Sequence, residues 1–378
     1  MTNQYLYFQP QYVREFVCDG AKCPNSCCRR NWNISVDDDT YARYANLKPE
    51  SKARELTKLF ARDDATGKFY LRQHPCPLLT EQGWCGLQLE HGEEFLSLVC
   101  RTYPRQTFCF GNFFERSLSL TCPLAAEMIL FRNEPLGFEL VEVSEKIHGG
   151  KSILVDEMYV PESLFAHVAE IQIAMISILQ ERTLTIDQRL IVLGFFLDRL
   201  DEIISGGLDK VALTKLIAAY ESKKFLLEQV PRMLTAVTFN AEEFSRRMTE
   251  VFANLRGEEF SAARELLDFT AERKLFTARH ATLMENFLVN ELFTNCVPWR
   301  NEATVAQNFG LFVAAYKVFE LLTFAAYKRN LFVKSELLRL VDLLTSQTDN
   351  TTATRLNLLN LFAGDDMFSL LEIFLEGR

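Results

Sequence analysis

Glycine and proline are scarce in this chain, with 16 and 11 among 378 residues. Sheets of many short strands need frequent turn-forming residues, so this scarcity argues against a barrel or sandwich and favours helices. The longest apolar runs, such as Leu190–Leu197, fall short of the roughly 18 residues that a membrane-spanning helix needs. The net charge of −9 offers no general basic field for nucleic acid or an anionic membrane. We therefore expect neither partner.

Several catalytic motifs are also missing. The chain has no glycine-rich dinucleotide loop, no GxxxxGK phosphate loop and no HExxH metal motif. The CxxxCxxC signature of radical enzymes fails, because Arg30 occupies the position where a third cysteine would follow Cys23 and Cys27. The N-terminus, Met1 to Phe16, lacks the basic start and apolar core of a signal peptide. These features predict a soluble, cytoplasmic protein.

What the chain does have is cysteine, unevenly placed. Nine of its ten cysteines lie in the first 122 residues, and only Cys296 lies beyond. Reducing conditions in the cytoplasm disfavour disulfides, so a cysteine cluster there is better interpreted as a metal site. Soft thiolates select iron–sulfur clusters, zinc or copper(I). Cys109, between two phenylalanines, and Cys296 are interpreted as ordinary buried residues, and His74 is the one histidine considered as an additional ligand.

The chain divides into two parts of different character, with a boundary predicted near Gly149-Gly150. Residues 151–378 carry apolar side chains at helical spacing and predict an all-α domain of seven to nine helices. Thr185 and Gln188 have the form of a capping box, and Gly206-Gly207 ends that helix. Further helices are predicted at about 209–228, 240–256, 258–275, 279–296, 303–328, 331–346 and 353–376.

Residues 1–150 predict a cysteine-rich region of loops and short strands that packs on the helical domain. Strand-like alternation occurs at Trp32–Val36 and at Phe113–Leu120, and Asp37 is placed to cap a helix from Thr40 to Leu47. A region so rich in loops needs another source of rigidity, which a bound metal supplies. The predicted fold class is therefore mainly α, with an N-terminal metal-binding region.

Eight cysteines in an ordered series carry a resemblance to a known family. The motifs are Phe16-Val-Cys18-Asp-Gly-Ala-Lys-Cys23-Pro-Asn-Ser-Cys27-Cys28, then Cys76-Pro-Leu-Leu, Trp84-Cys85, Cys100-Arg-Thr-Tyr103-Pro104-Arg105 and Glu115-Arg-Ser-Leu-Ser-Leu-Thr-Cys122-Pro123. In these segments, across residues 12–127, the chain resembles the bacterial flagellin lysine-N-methylase family, which is related to small cysteine-rich zinc- or iron-chelating domains. The helical part agrees more loosely, for example at 283–290.

The resemblance implies an enzyme that carries a [4Fe-4S] cluster and methylates surface lysines of flagellin with S-adenosylmethionine as donor. The implied cluster ligands fall within Cys18, Cys23, Cys27, Cys28, Cys76, Cys85, Cys100 and Cys122. The preferred four are Cys23, Cys28, Cys85 and Cys100. The cluster has three possible roles, namely binding the methyl donor, passing electrons or holding the loops together, and the residues do not choose among them.

Candidate catalytic groups follow from the chemistry of lysine methylation, because an ammonium has no lone pair and must lose a proton. Glu115 and Asp37 are the candidate bases, and Tyr103 is a candidate positioning hydroxyl. Their structural alternatives are a strand-face or salt-bridge residue for Glu115 and a helix cap for Asp37.

Candidate cofactor-binding residues lie in the same motifs. Arg101 and Arg105 either bind the donor's carboxylate or offset the charge of the cluster. Trp32 either stacks on adenine or shields the cluster from water. The alternative functions are a non-catalytic zinc- or iron-binding module with a helical partner-binding domain, and a redox sensor.

Overall fold

The computed structural model confirms a mainly helical protein, with 61% helix and 10% strand. It describes residues 5–18, 20, 23, 26–30, 32, 34–64, 66–143, 151–154, 162–300, 303–348 and 352–377. The predicted boundary at Gly149-Gly150 lies outside these described residues. The division at residue 150 therefore stays a prediction.

A five-stranded mixed sheet forms the centre of the N-terminal part, in the order β7-β1-β6-β5-β8. Its strands are β1 (Tyr5–Pro10), β5 (Arg105–Phe110), β6 (Phe113–Leu118), β7 (Phe138–Val143) and β8 (Lys151–Leu154). β1 runs parallel to β6, and β5 and β6 form an antiparallel hairpin that turns at Gly111, where φ is +64°. The strand predicted at 113–120 is confirmed as β6. The sequence did not predict its neighbours, which are β5, joined to it by a tight turn, and β1, which is distant in the chain.

A smaller unit lies between β1 and β5 in the chain and holds most of the cysteine motifs. Its three-stranded sheet has the order β2-β4-β3, built from β2 (Ser35–Val36), β3 (Phe60–Arg62) and β4 (Phe69–Leu71). Its helices are α2 (Asp38–Ala45), α3 (Glu50–Thr57), α4 (Gly86–His91) and α5 (Leu98–Thr102). Val36, Tyr44 and Phe60 belong to a small core of its own.

The remaining helices form the large helical part and two short additions to the N-terminal part. They are α1 (Tyr12–Glu15), α6 (Pro123–Leu130), α7 (Val168–Leu179), α8 (Ile186–Ser205), α9 (Lys210–Glu221), α10 (Lys223–Ala236), α11 (Ala241–Ala253), α12 (Glu258–Arg264), α13 (Thr270–Arg279), α14 (Ala281–Thr294), α15 (Val305–Lys328), α16 (Lys334–Thr348), α17 (Thr352–Asn360) and α18 (Met367–Phe374).

Helix ends are set locally, as the sequence predicted for α8. Thr185 and Gln188 form the capping box, and the helix ends at Gly206. The predicted count of seven to nine helices is wrong, because twelve α-helices lie between residues 168 and 374 in the described part of the chain. Three predicted segments each split in two. Ser222 ends α9 and its side chain accepts a hydrogen bond from the third residue of α10, so one polar residue separates two helices.

One continuous apolar core joins the five-stranded sheet to the helices. Phe8 and Phe108 of the sheet belong to it together with Phe293 of α14 and Phe319 of α15. α15 is long and apolar enough by length and composition to cross a membrane, but its most apolar stretch is buried entirely within the protein. Core helices of this kind contact apolar neighbours all round.

Candidate functional site

Five cysteines of the motif region lie in the small unit, within electrostatic reach of one another. Cys27 and Cys28 lie in a short 3₁₀ turn, and the backbone N–H of Cys76 donates to the carbonyl of Cys28 at 2.8 Å. Cys85 immediately precedes α4, and Cys100 lies in α5. We call Cys27, Cys28, Cys76, Cys85 and Cys100 the five-thiol group.

The thiols of this group are close enough to alter one another's ionisation. A hydrogen bond between the two adjacent side chains lowers the pKa of Cys27 to about 7 and raises the pKa of Cys28. Burial raises the pKa of Cys100 to about 12, and the negative charges of Cys27, Cys76 and Cys85 add to this shift. Mutual repulsion of this kind is relieved when thiolates share a cation.

Three other cysteines of the series form a second group. Cys122 is buried at the start of α6, and burial raises its pKa to about 12, with further contributions from Cys23 and Cys18. Cys23 therefore lies near Cys122, whereas the other three preferred ligands belong to the five-thiol group. Cys109 and Cys296 are buried away from both groups, in β5 and after α14.

All ten cysteines are free thiols. Within the described ranges, no three histidine, cysteine, aspartate or glutamate side chains are arranged closely enough to hold a metal ion. The donor set nevertheless suits iron–sulfur or zinc binding, because five soft ligands from four separate segments lie within electrostatic reach of one another.

Beside the five-thiol group, Arg30 joins the small unit to the helical part. Its Nη1 donates to Asp342 Oδ1 of α16 at 2.6 Å, and the arginine side chain is only 9% exposed. Its guanidinium carbon lies 5.1 Å from the centre of the Trp32 ring. Trp32 in turn meets Tyr103 edge to face, with ring centres 4.8 Å apart.

Tyr103, a predicted positioning residue, lies within this aromatic cluster. Its hydroxyl is 3.2 Å from Thr121 Oγ1. Burial, reinforced by the nearby Cys122, raises the pKa of Tyr103 well above its ordinary value. The hydroxyl therefore stays protonated at neutral pH and is available as a hydrogen-bond donor.

The structure gives two other predicted site residues local partners. Arg105 donates to the carbonyl of Phe16 at 3.3 Å and lies over the Phe16 ring. Asp37 caps α2, as its structural alternative predicted, and both of its carboxylate oxygens accept from Thr40 at 2.8 Å. Burial raises the pKa of Asp37, but the bonds from Thr40 outweigh this, so its pKa is lowered. Arg101 lies half-buried in α5.

Glu115 lies in β6, where it contacts the helical part. It is fully buried, and Gln172 Nε2 of α7 donates to its Oε2 at 3.3 Å and to the Val297 carbonyl at the same distance. Its other oxygen, Oε1, has no hydrogen-bond partner in the described chain. Burial raises the pKa of Glu115 to about 8, despite the bond from Gln172.

The sequence did not identify a set of buried polar groups in α14 and the residues just after it. α14 carries buried polar residues in an otherwise apolar helix, and Tyr12 donates to Asn290 Oδ1 at 2.6 Å. Asn295 donates to Glu291 Oε2 at 2.6 Å and accepts from Arg355. The signal available in the sequence was the run Asn-Glu-Leu-Phe-Thr-Asn-Cys-Val-Pro-Trp-Arg at 290–300, in which polar residues recur among apolar ones at the end of α14 and just after it.

A comparison with known families identifies the helical part. Residues 172–375, more than half of the chain, match the family described as the FliB lysine N-methylase C-terminal domain. No curated protein and no solved structure matches the chain significantly. The match begins at Gln172 and includes α14, α16 and the buried polar run at 290–300.

Proposed function

Because the chain belongs to the FliB lysine N-methylase family, we propose that it transfers methyl groups from S-adenosylmethionine to lysine side chains on flagellin. The observation that carries this proposal is the family match over residues 172–375. The cysteine motifs of residues 12–127, outside that match, support it independently through their resemblance to flagellin lysine-N-methylases.

Methyl transfer to lysine requires a neutral amine. At pH 7 only about one lysine in a thousand lacks its proton, given a pKa near ~10.4. The amine lone pair then forms the new C–N bond while the methyl–sulfur bond breaks, and the departing thioether keeps that electron pair. The proton of the ammonium must leave to a base, so the enzyme gains rate by supplying one.

Glu115 is the residue that we propose as this base. Its buried carboxyl has one oxygen without a partner, and its pKa of about 8 is closer to that of lysine than an ordinary carboxylate's. Gln172, within the matched region, holds the other oxygen in place. Asp37 is less suited, because Thr40 engages both of its oxygens. We propose that the protonated Tyr103 positions rather than deprotonates the substrate.

We further propose that four members of the five-thiol group hold a [4Fe-4S] cluster. A four-iron cluster takes four cysteine ligands, and this group offers five. A bound cluster would tie together the segments around residues 27, 76, 85 and 100, which the structure joins by few backbone hydrogen bonds. Cys18, Cys23 and Cys122 then remain as reserve ligands or structural thiols.

The test begins with anaerobic purification, followed by iron, sulfide and zinc analysis of the same sample. We expect a brown protein that absorbs near ~400 nm. Isotope-labelled S-adenosylmethionine is then added with flagellin, and methyl-lysine is measured by mass spectrometry. Flagellin whose lysines are already dimethylated serves as the matched control.

The two parts of the proposal fail separately in this experiment. If a colourless, zinc-loaded protein incorporated label into flagellin, the proposed cluster would be contradicted and the proposed methyltransferase activity would be supported. Iron-loaded protein that transfers no label would contradict the methyltransferase, and would favour a non-catalytic metal-binding module with a helical partner-binding domain.

A further inference from the structure

The guanidinium of Arg30 uses only part of its hydrogen-bonding capacity. Nη1 donates to Asp342, but Nε and Nη2 are buried and have no hydrogen-bond partner in the part of the chain that the structure describes. A buried donor without an acceptor is destabilising, and more so when it is charged. Two such donors on one side chain therefore point to an acceptor from a ligand.

The two unpartnered nitrogens form one edge of the guanidinium. The N–H of Nε and one N–H of Nη2 point in parallel, which is the arrangement that accepts both oxygens of a planar oxoanion. Asp342 accepts a hydrogen bond from Nη1, at the end of the guanidinium away from this edge, and so holds the side chain in place. Lysine has no such pair of fixed donors.

The surroundings of this edge favour a carboxylate over a phosphate. Arg30 supplies a single positive charge that the Asp342 carboxylate already balances, so the site offers no net positive charge to a dianion such as phosphate. An amino-acid carboxylate is a monoanion accompanied by its own ammonium group, so it brings little net charge. The Trp32 ring beside the guanidinium offers an apolar surface to the rest of such a ligand.

We propose that the Nε and Nη2 edge of Arg30 binds the carboxylate of the methionine portion of S-adenosylmethionine. This assignment rests on the proposed methyltransferase function and places the donor between the five-thiol group and α16. Arg30 would then have two roles. Its Nη1 joins the two parts of the protein through Asp342, and its Nε and Nη2 bind the ligand.

The test compares two ligands by calorimetry on the anaerobic, metal-loaded protein. S-adenosylmethionine carries the carboxylate, and decarboxylated S-adenosylmethionine lacks it. In wild type we expect the first to bind about 10- to 100-fold more tightly, as charged hydrogen bonds of this kind imply. Arg30→Gln should remove this preference and leave the affinity for the decarboxylated ligand unchanged. Arg30→Lys should restore only part of the preference.

Two control variants separate binding from structure. Arg29→Gln changes the exposed neighbouring arginine and should bind like wild type. Asp342→Asn breaks the same ion pair but keeps the free edge, so it should retain the preference for the carboxylate. If Arg30→Gln fails to fold, the preference in Asp342→Asn and its reduction in Arg30→Lys decide the question.

The outcomes also distinguish this inference from the proposed function. If Arg30→Gln lost affinity for both ligands equally, or lost affinity for neither, the carboxylate assignment would be overturned. The proposed methyltransferase function would not be affected by either result. A preference lost equally in Asp342→Asn would show that the ion pair, rather than the free edge, is responsible, and would overturn the carboxylate assignment too. Wild-type protein that binds neither ligand would contradict the proposed function itself.

Discussion

At the scale of single residues, burial has more influence than sequence position on the chemistry of each group. Glu115 and Asp37 are both carboxylates of the motif region, yet the pKa of Glu115 is raised to about 8 and that of Asp37 is lowered. Glu115 lies in the apolar interface with one hydrogen bond from Gln172, whereas Thr40 donates to both oxygens of Asp37. Desolvation dominates in the first case and hydrogen bonding in the second.

The raised pKa of Glu115 predicts a stability that depends on pH. Because the folded state holds this proton more tightly than the unfolded state, the free energy of unfolding should fall as pH rises from about 4.5 to about 8. The contribution is at most about 1.4 kcal/mol per pH unit. Glu115→Gln should abolish it. Urea unfolding of wild type and variant at pH 5, 6.5 and 8 measures the difference.

A matched control for this experiment is Glu142→Gln, which changes an exposed glutamate of β7. It should follow the wild-type dependence on pH. If Glu115→Gln and wild type lose stability in parallel between pH 5 and pH 8, the pKa of Glu115 is not raised in the folded protein.

At the scale of elements, local signals set the ends of helices and close packing sets their approach. The Thr185 hydroxyl accepts from the backbone N–H of Gln188, and the Gln188 side chain accepts from the backbone N–H of Thr185. The two residues are three positions apart at the start of α8, so the sequence alone reveals the cap. The packing of α15 against residues near the C-terminus is different, because it depends on residues that are distant in sequence.

Loss of the cap should have a modest cost. Thr185→Ala removes the hydroxyl acceptor and should lower the free energy of unfolding by about 1 kcal/mol, since an N-cap contributes about that much. Thr185→Ser keeps the hydroxyl and should stay near wild type. Thermal and urea unfolding of both variants checks this. If both variants lost the same free energy of unfolding, the methyl group of Thr185, rather than its capping hydroxyl, would be what stabilises this position.

Gly310 tests the packing of α15. An exposed glycine in a helix gains stability of about 1 kcal/mol when it becomes alanine. At Gly310 the added Cβ would lie 2.9 Å from Cγ of the fully buried Phe362. Gly310→Ala should therefore destabilise the protein by about 1–3 kcal/mol through overpacking. A stabilised variant in urea unfolding would show that Phe362 moves aside freely.

At the scale of the whole molecule, the small cysteine-rich unit and the helical part are distinct but joined. The small unit has its own core, while the larger core runs from the five-stranded sheet through the helices. Arg30 and Asp342, 312 residues apart in the chain, connect the two across their boundary. The proposed cluster and the matched family region therefore meet at one place.

The proposed cluster predicts different effects for cysteines inside and outside the five-thiol group. Cys85→Ser and Cys100→Ser should each lower the iron content and the absorbance near ~400 nm. Cys109→Ser changes a buried thiol of β5 outside the group and should keep the iron, even if it lowers stability. Iron and sulfide analysis after anaerobic purification measures this. Full iron content in both Cys85→Ser and Cys100→Ser would contradict the proposed ligand set.

The sequence by itself determined the features whose causes are local. Helical periodicity gave the mainly α class, the cap at Thr185 and the helix cap at Asp37 follow from neighbouring residues, and the series of cysteines pointed to thiolate chemistry. The family assignment from those cysteine motifs is confirmed, although by the helical residues 172–375 rather than by the motifs themselves.

The tertiary structure alone decided what depends on residues far apart in the chain. It formed the five-stranded sheet from strands as distant as β1 and β7, buried Glu115 against Gln172, and brought Arg30 to Asp342. Spacing cannot reveal such pairs, because the free energy of burying a charge or a strand edge depends on which distant element covers it. The series of cysteines is evident in the sequence, but only the tertiary structure shows which of them lie near one another.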